Sequence, residues 1–191
     1  ALPISKQIGV AVGQAITGQA RELCVLKAQN GVPDWQQVEA LIRATGIDFR
    51  IGGNRAFYMP SLDYVQVPPP QAYFEPINWH RTALHEMGHA TGHASRLGRD
   101  FSGSFGTKKY AFEEMIAEIS SAFCCASLGI VPTVRHADYV GSWLEVMRED
   151  SRAIVRAASQ ASKAADWLLS HLLAEDTGES DASETDRRAA A

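Results

Sequence analysis

The chain has 191 residues, 46% of them hydrophobic and 21% charged, with a formal net charge of −4. That length suits one domain with a real core and is short for two. No run of about 20 apolar residues occurs, so the sequence holds no membrane-spanning helix and no membrane partner is expected. The acids gather at the end: residues 174–191 carry six acids and two bases, which leaves sixteen of each elsewhere. A balanced body lacks the basic stripe on which nucleic-acid binding draws, so charge gives DNA binding no support.

Residues 1–33 read as a weakly helical lead-in or the remnant of a longer protein. Ile4, Ile8, Val12, Leu23 and Leu26 have helix-like spacing, several glycines intervene, and no initiator Met is present. Gly9, Gly13 and Gln14 interrupt the mildly apolar run 8–16, which makes it a poor signal peptide. Residues 34–45 form a better helix, with Trp35, Val38, Leu41 and Ile42 along one side, Asp34 as N-cap and Gly46 as stop.

The period then changes. Residues 47–51, 56–59 and 64–67 are short β-prone runs separated by Gly52-Gly53-Asn54 and Pro60-Ser61-Leu62-Asp63. They are expected to form a three-stranded antiparallel meander. Pro68-Pro69-Pro70 should end the third strand at a sheet edge, where an extended peptide can add as a further strand.

A helix is expected from Pro76, a residue suited to the first helical position, to a stop near Gly92, with Ile77, Leu84, Met87 and Ala90 as its apolar stripe. It carries His85-Glu86-Met87-Gly88-His89, the pattern H-E-x-x-H. Residues four apart lie on one helix face, so both imidazoles can reach one ion. Glu86 is rotated about 100° away, placed to touch a water on that ion rather than to ligate it. Two His ligands, a carboxylate base and an open position are the minimum for metal-assisted hydrolysis.

A Gly/Ser-rich loop with Arg96 and Arg99 follows at 95–107, leading to a helix at 110–128 with Ile116, Ile119, Phe123 and Ala126 on its core face. Glu113, Glu114 and Glu118 fall in its first half. Glu114 is the expected third ligand and Glu118, one turn on, the carboxylate that orients a ligand His; Glu113 and Glu118 are the rivals for the ligand role. His93 is a further candidate, but successive imidazoles four apart drift about 40° per step, which suits a hydrogen-bonding or substrate contact better than a ligand.

Two closing helices are expected at 137–148 (Tyr139, Val140, Trp143 and Val146 or Met147 inward) and 151–173 (Ile154, Val155, Ala158, Ala165, Trp167 and Leu168 inward), packed behind the metal helices. Tyr139 and His136 are the candidate donors to a developing oxyanion. The tail 174–191, with no large apolar residue, is expected to be disordered. Cys24, Cys124 and Cys125 form no C-x-x-C pair, and a vicinal disulfide in a helix would be strained. Small buried apolar roles and a reducing, cytoplasmic setting fit them.

The run HEMGHATGHASRL, then Phe105-Gly106, then YAFEEMIAEISSAFCCASLGI, resembles the zincin-like metallopeptidase domain of the ArdC/TraC family, antirestriction proteins and primases of conjugative plasmids. GGNRAFYMPSLDYVQVP upstream and HADYVGSWLEVMREDSRAIVRAASQASKAADWLL downstream are similar to it as well. The resemblance covers roughly residues 35–173, within an expected domain 34–173. It implies an α+β zincin-like fold, His85 and His89 as ligands, Glu86 as general base, and a metal-binding glutamate within EEMIAE. ArdC-like proteins also carry an N-terminal single-stranded-DNA-binding domain, for which this chain has almost no room.

The reading at this point is a zinc metallopeptidase holding one Zn2+ and acting on protein or peptide, with an activity that can be latent until a partner opens the site. The alternatives are a non-catalytic, zinc-stabilised antirestriction module that blocks a restriction or other DNA-processing enzyme, and a single-stranded-DNA-binding protein.

Overall fold

A computed structural model describes residues 35–130 and 140–188, so the expected lead-in, the Asp34 cap, His136 and Tyr139 lie outside the described residues. Helix α1, Trp35–Ala44, buries Val38 and Leu41 completely. It closes with the Thr45 amide on the Leu41 carbonyl (3.1 Å) and Gly46 at φ 64°, the left-handed stop that glycine supplies.

Strands β1 (Asp48–Ile51), β2 (Phe57–Met59) and β3 (Tyr64–Val67) form one sheet in the order β1-β3-β2. The expected meander is corrected: β3 lies between the other two, parallel to β1 and antiparallel to β2. The strand whose Val65 and Val67 are fully buried takes the centre, where both edges are paired and one face meets the helices. Gly52-Gly53-Asn54 therefore does not close a hairpin. It carries the chain across the width of a strand still to come, and Gly53, at φ 66°, sits where a Cβ would stand 2.6 Å from the Gln66 amide. The three prolines do end the ladder, but at a central strand; the sheet's edges are β1 and β2.

A 3₁₀ turn, Pro70–Ala72, leads into helix α2, Pro76–Ala90, with Pro76 at its first turn as expected. Trp79, Ala83, Leu84, Met87 and Ala90 are buried along one side, and the Trp79 indole donates to the Pro68 carbonyl at 3.0 Å. Burying one such side chain contributes about 1.5–3 kcal/mol. Thr91 caps this helix, one residue ahead of the expected Gly92.

Helix α3, Lys108–Ser127, starts two residues earlier than its apolar pattern indicates, because the Thr107 hydroxyl accepts the Tyr110 amide; Gly129, at φ 70°, follows its end. It lies so near α2 that a Cβ on Gly88 would meet Ser120 Oγ at 2.5 Å and the Ala117 carbonyl at 3.3 Å. Helix α4 is Val140–Glu149 and α5 is Ala153–Arg188.

The inward face of α5 holds Ala165 and Leu168 as expected, with Ile154 and Trp167 packed against the core, and departs from expectation at Val155 and in its run of alanines. Ala153, Ala157, Ala161, Ala164, Ala165 and Leu168 are buried, whereas Val155 is 67% exposed. Small side chains let α5 approach α3 closely, so alanines form the contact. The helical backbone of α5 continues to Arg188. No helix among the described residues is long and apolar enough to cross a membrane.

Candidate metal centre

Helices α2 and α3 bring His85, His89 and Glu114 together. One donor atom from each lies within 4.8 Å of the others. His85 Nε2 is 3.4 Å from one Glu114 oxygen and His89 Nε2 is 3.5 Å from the other. Donors bound about 2.0–2.1 Å from one tetrahedral ion stand roughly 3.3–3.5 Å apart, so the set fits a divalent cation. The two rings meet nearly edge-on, 84° between planes, with each Nε2 beside a different Glu114 oxygen.

The far side of each ring is also held. His85 Nδ1 lies 3.1 Å from Glu118 and His89 Nδ1 lies 3.2 Å from Glu113. A carboxylate on Nδ1 favours the proton there and leaves Nε2 as the free lone pair, the arrangement a ligand imidazole needs. The sequence places Glu118 behind one histidine and offers Glu113 only as a rival ligand. There are two rings and two such carboxylates: of the three glutamates of EEMIAE, Glu114 faces both Nε2 atoms, and Glu118 and Glu113 each stand behind one ring. That count was the available signal for Glu113.

The electrostatics agree with the donor chemistry. Burial pulls the His85 pKa down, but hydrogen bonds to Glu114 and Glu118 outweigh it and push it up to about 9. His89, by the same balance with Glu113 and Glu114, is pushed up to about 10. Burial raises the pKa of Glu114, yet the two imidazoles hold it far below the ordinary carboxylate value. Positive charge is thus favoured between the three donors, and a divalent cation meets that demand as protons do.

Glu86, 7% exposed, lines the same cleft as the three donors. The cleft encloses about 450 Å3; edge strand β2 contributes Phe57 and Tyr58, and Phe101 and Phe105 come from the loop after α2. His93 is not brought to the centre. It lies past the end of α2, with Nδ1 2.8 Å from Ser95 Oγ and 3.5 Å from Asp63. Cys124 and Cys125 are buried free thiols, as expected, and burial pushes the Cys125 pKa up to about 11.

Residues 36–160 match the zincin-like metallopeptidase family. The chain is similar to DNA primase TraC of Escherichia coli, with 43% identity over 136 residues, 70% of this chain and 13% of that one. Among solved structures it is similar to antirestriction protein ArdC from plasmid R388 in its Mn(II)-bound form, with a TM-score of 0.66 and 42% identity over 72% of this chain and 52% of that one. A stretch of 39 residues, 20% of the chain, is 90% identical to 27% of a putative pre-16S rRNA nuclease of Pseudomonas fluorescens. The chain spans 44% and 13% of the length of the first two curated relatives it matches.

Proposed function

Because the chain belongs to the zincin-like metallopeptidase family, we propose that it is a divalent-metal-dependent hydrolase of peptide bonds. The observation that carries this is the pairing of each Nε2 with Glu114 while each Nδ1 is backed by its own carboxylate, with Glu86 beside them in an open cleft. His85, His89 and Glu114 would hold the ion, which would supply Lewis-acid polarisation to water and to a carbonyl oxygen.

The chain's own residues do the rest. Glu86 takes the proton of the attacking water and returns it to the leaving amine. Glu118 and Glu113 keep the two imidazoles in one tautomer and one orientation. Strand β2, at the sheet edge and lining the cleft, offers backbone groups along which an extended peptide can align. Two imidazoles and a carboxylate suit zinc; the Mn(II)-bound form of the ArdC relative makes manganese the competing ion.

Metal content and peptide cleavage, measured on wild type and Glu86→Gln with zinc or manganese supplied, test this reading. One bound ion in both proteins, with cleavage only in the wild type, is expected. Absence of metal from both proteins sinks the site.

A second reading has its own support in the relatives, an antirestriction protein (ArdC) and a DNA primase (TraC). In it the ion holds α2 and α3 together while the surface blocks a DNA-processing enzyme. Protection of DNA from a restriction enzyme by Glu86→Gln would favour it, and protection that requires Glu86 would count against it.

A further inference from the structure

Arg99 leaves the loop after α2 and turns its guanidinium back beneath that helix, where 5% of the side chain is exposed. Each of its nitrogens is engaged. Nη1 donates to Thr91 Oγ1 at 2.7 Å, and Nη2 donates to the carbonyls of Gly88 at 2.7 Å and His89 at 3.2 Å. Nε and Nη2 also grip the two oxygens of Glu113, at 3.0 and 2.8 Å. The oxygen that accepts from Nη2 is the one that stands 3.2 Å from His89 Nδ1.

One side chain therefore does two things. It donates to two carbonyls at the end of α2, which also accept from the Thr91 hydroxyl and the Gly92 amide, and it fixes a buried carboxylate that would otherwise be costly to hold ionised. Space for it exists because residue 92 is glycine: a Cβ there would lie 2.8 Å from Arg99 Cζ and 2.6 Å from Phe101 Cζ.

We propose that Arg99 is a positioning residue of the metal centre. Acting through Glu113, it holds the His89 ring so that Nε2 faces Glu114 and the ion. The inference rests on the metal-site reading above. Only a planar, forked cation spans these acceptors at once, so lysine is not an equivalent.

The test uses the whole chain as wild type, Arg99→Lys, Glu113→Gln and the double variant. Zinc affinity is read by competition with a chromophoric chelator, and ligand geometry by the visible spectrum of the Co(II) form. Each single variant should lose about tenfold or more in affinity and alter the Co(II) bands. The double variant should lose no more than the worse single one, since both changes break one chain of contacts. Affinity of Arg99→Lys within twofold of wild type, or losses that multiply in the double variant, overturns the proposal. If Arg99→Lys does not fold, Thr91→Val loosens the guanidinium while keeping both charges; a several-fold loss supports the proposal, and unchanged affinity overturns it. A wild type that binds neither zinc nor manganese sinks the metal-site reading and this proposal together. A wild type that binds while Arg99 is indifferent sinks the positioning role alone.

Discussion

His85 and Glu118 meet across the gap between α2 and α3, with Nδ1 3.1 Å from a carboxylate oxygen on the side of the ring opposite Glu114. The pair makes the imidazole a better donor and fixes its direction, so its loss should appear in metal binding before it appears in folding. Glu118→Ala is expected to weaken zinc binding by about 10–100-fold while the urea midpoint in EDTA changes little. Chelator competition and urea titration on the same samples check this; a large midpoint shift with unaltered affinity would assign Glu118 a purely structural role.

Gly88, a free position within H-E-x-x-H, is set by packing. Gly88→Ala places a methyl against Ser120 Oγ and near the Ala117 carbonyl, and overpacking of this kind costs about 1–3 kcal/mol. Adding Ser120→Ala should recover part of that, because the hydroxyl is the nearer obstacle and the backbone carbonyl remains. Urea unfolding of the three proteins measures it, and an unchanged stability in Gly88→Ala would contradict the close approach.

Asp63 sets a pH dependence. Burial raises its pKa, but hydrogen bonds from Arg96 and Tyr58 outweigh that and hold it below the usual carboxylate value. A group whose folded pKa is depressed contributes stability above its unfolded pKa, about 3.9, and loses it as the pH falls through the folded value. Wild-type stability should therefore fall more steeply below about pH 4 than that of Asp63→Asn, a replacement that tolerates the φ of 50° at this position. Urea midpoints from pH 6 to pH 3 provide the comparison, and parallel curves would remove Asp63 from the account.

The buried thiols give a simpler test. Burial pushes both Cys124 and Cys125 above the ordinary thiol value, and the thiolate is the reactive form. Iodoacetamide at pH 8 should leave the peptide containing both cysteines unmodified in the native protein and label it fully in urea, as read by mass spectrometry. Rapid native labelling would show that this part of α3 opens.

The shared face of His85 and His89 was legible because helix geometry converts a spacing of four into one face without help from the rest of the chain. The same geometry put Glu114 and Glu118 on one side of α3. Strand order was not legible: whether β3 lies beside or between its predecessors depends on which strand the helices bury, and Val65 and Val67 do not announce that locally. The inward face of α5 was legible at Ala165 and Leu168 but not at Val155, which is exposed, nor at Ala153, Ala157, Ala161 and Ala164, because close helix contact selects small side chains. Arg99 sits in a loop of glycine and serine with no periodic pattern, and its partners, Thr91 and Glu113, become neighbours only when two helices and that loop have come together.

Arg96 donates from Nε to the Ala90 carbonyl at 2.7 Å, at the end of α2, and grips Asp63 in the β2–β3 turn with its remaining nitrogens. The end of α2 and the turn that follows edge strand β2 are thus tied through one residue, so the helix that carries the donors and a strand that lines the cleft share an anchor outside it.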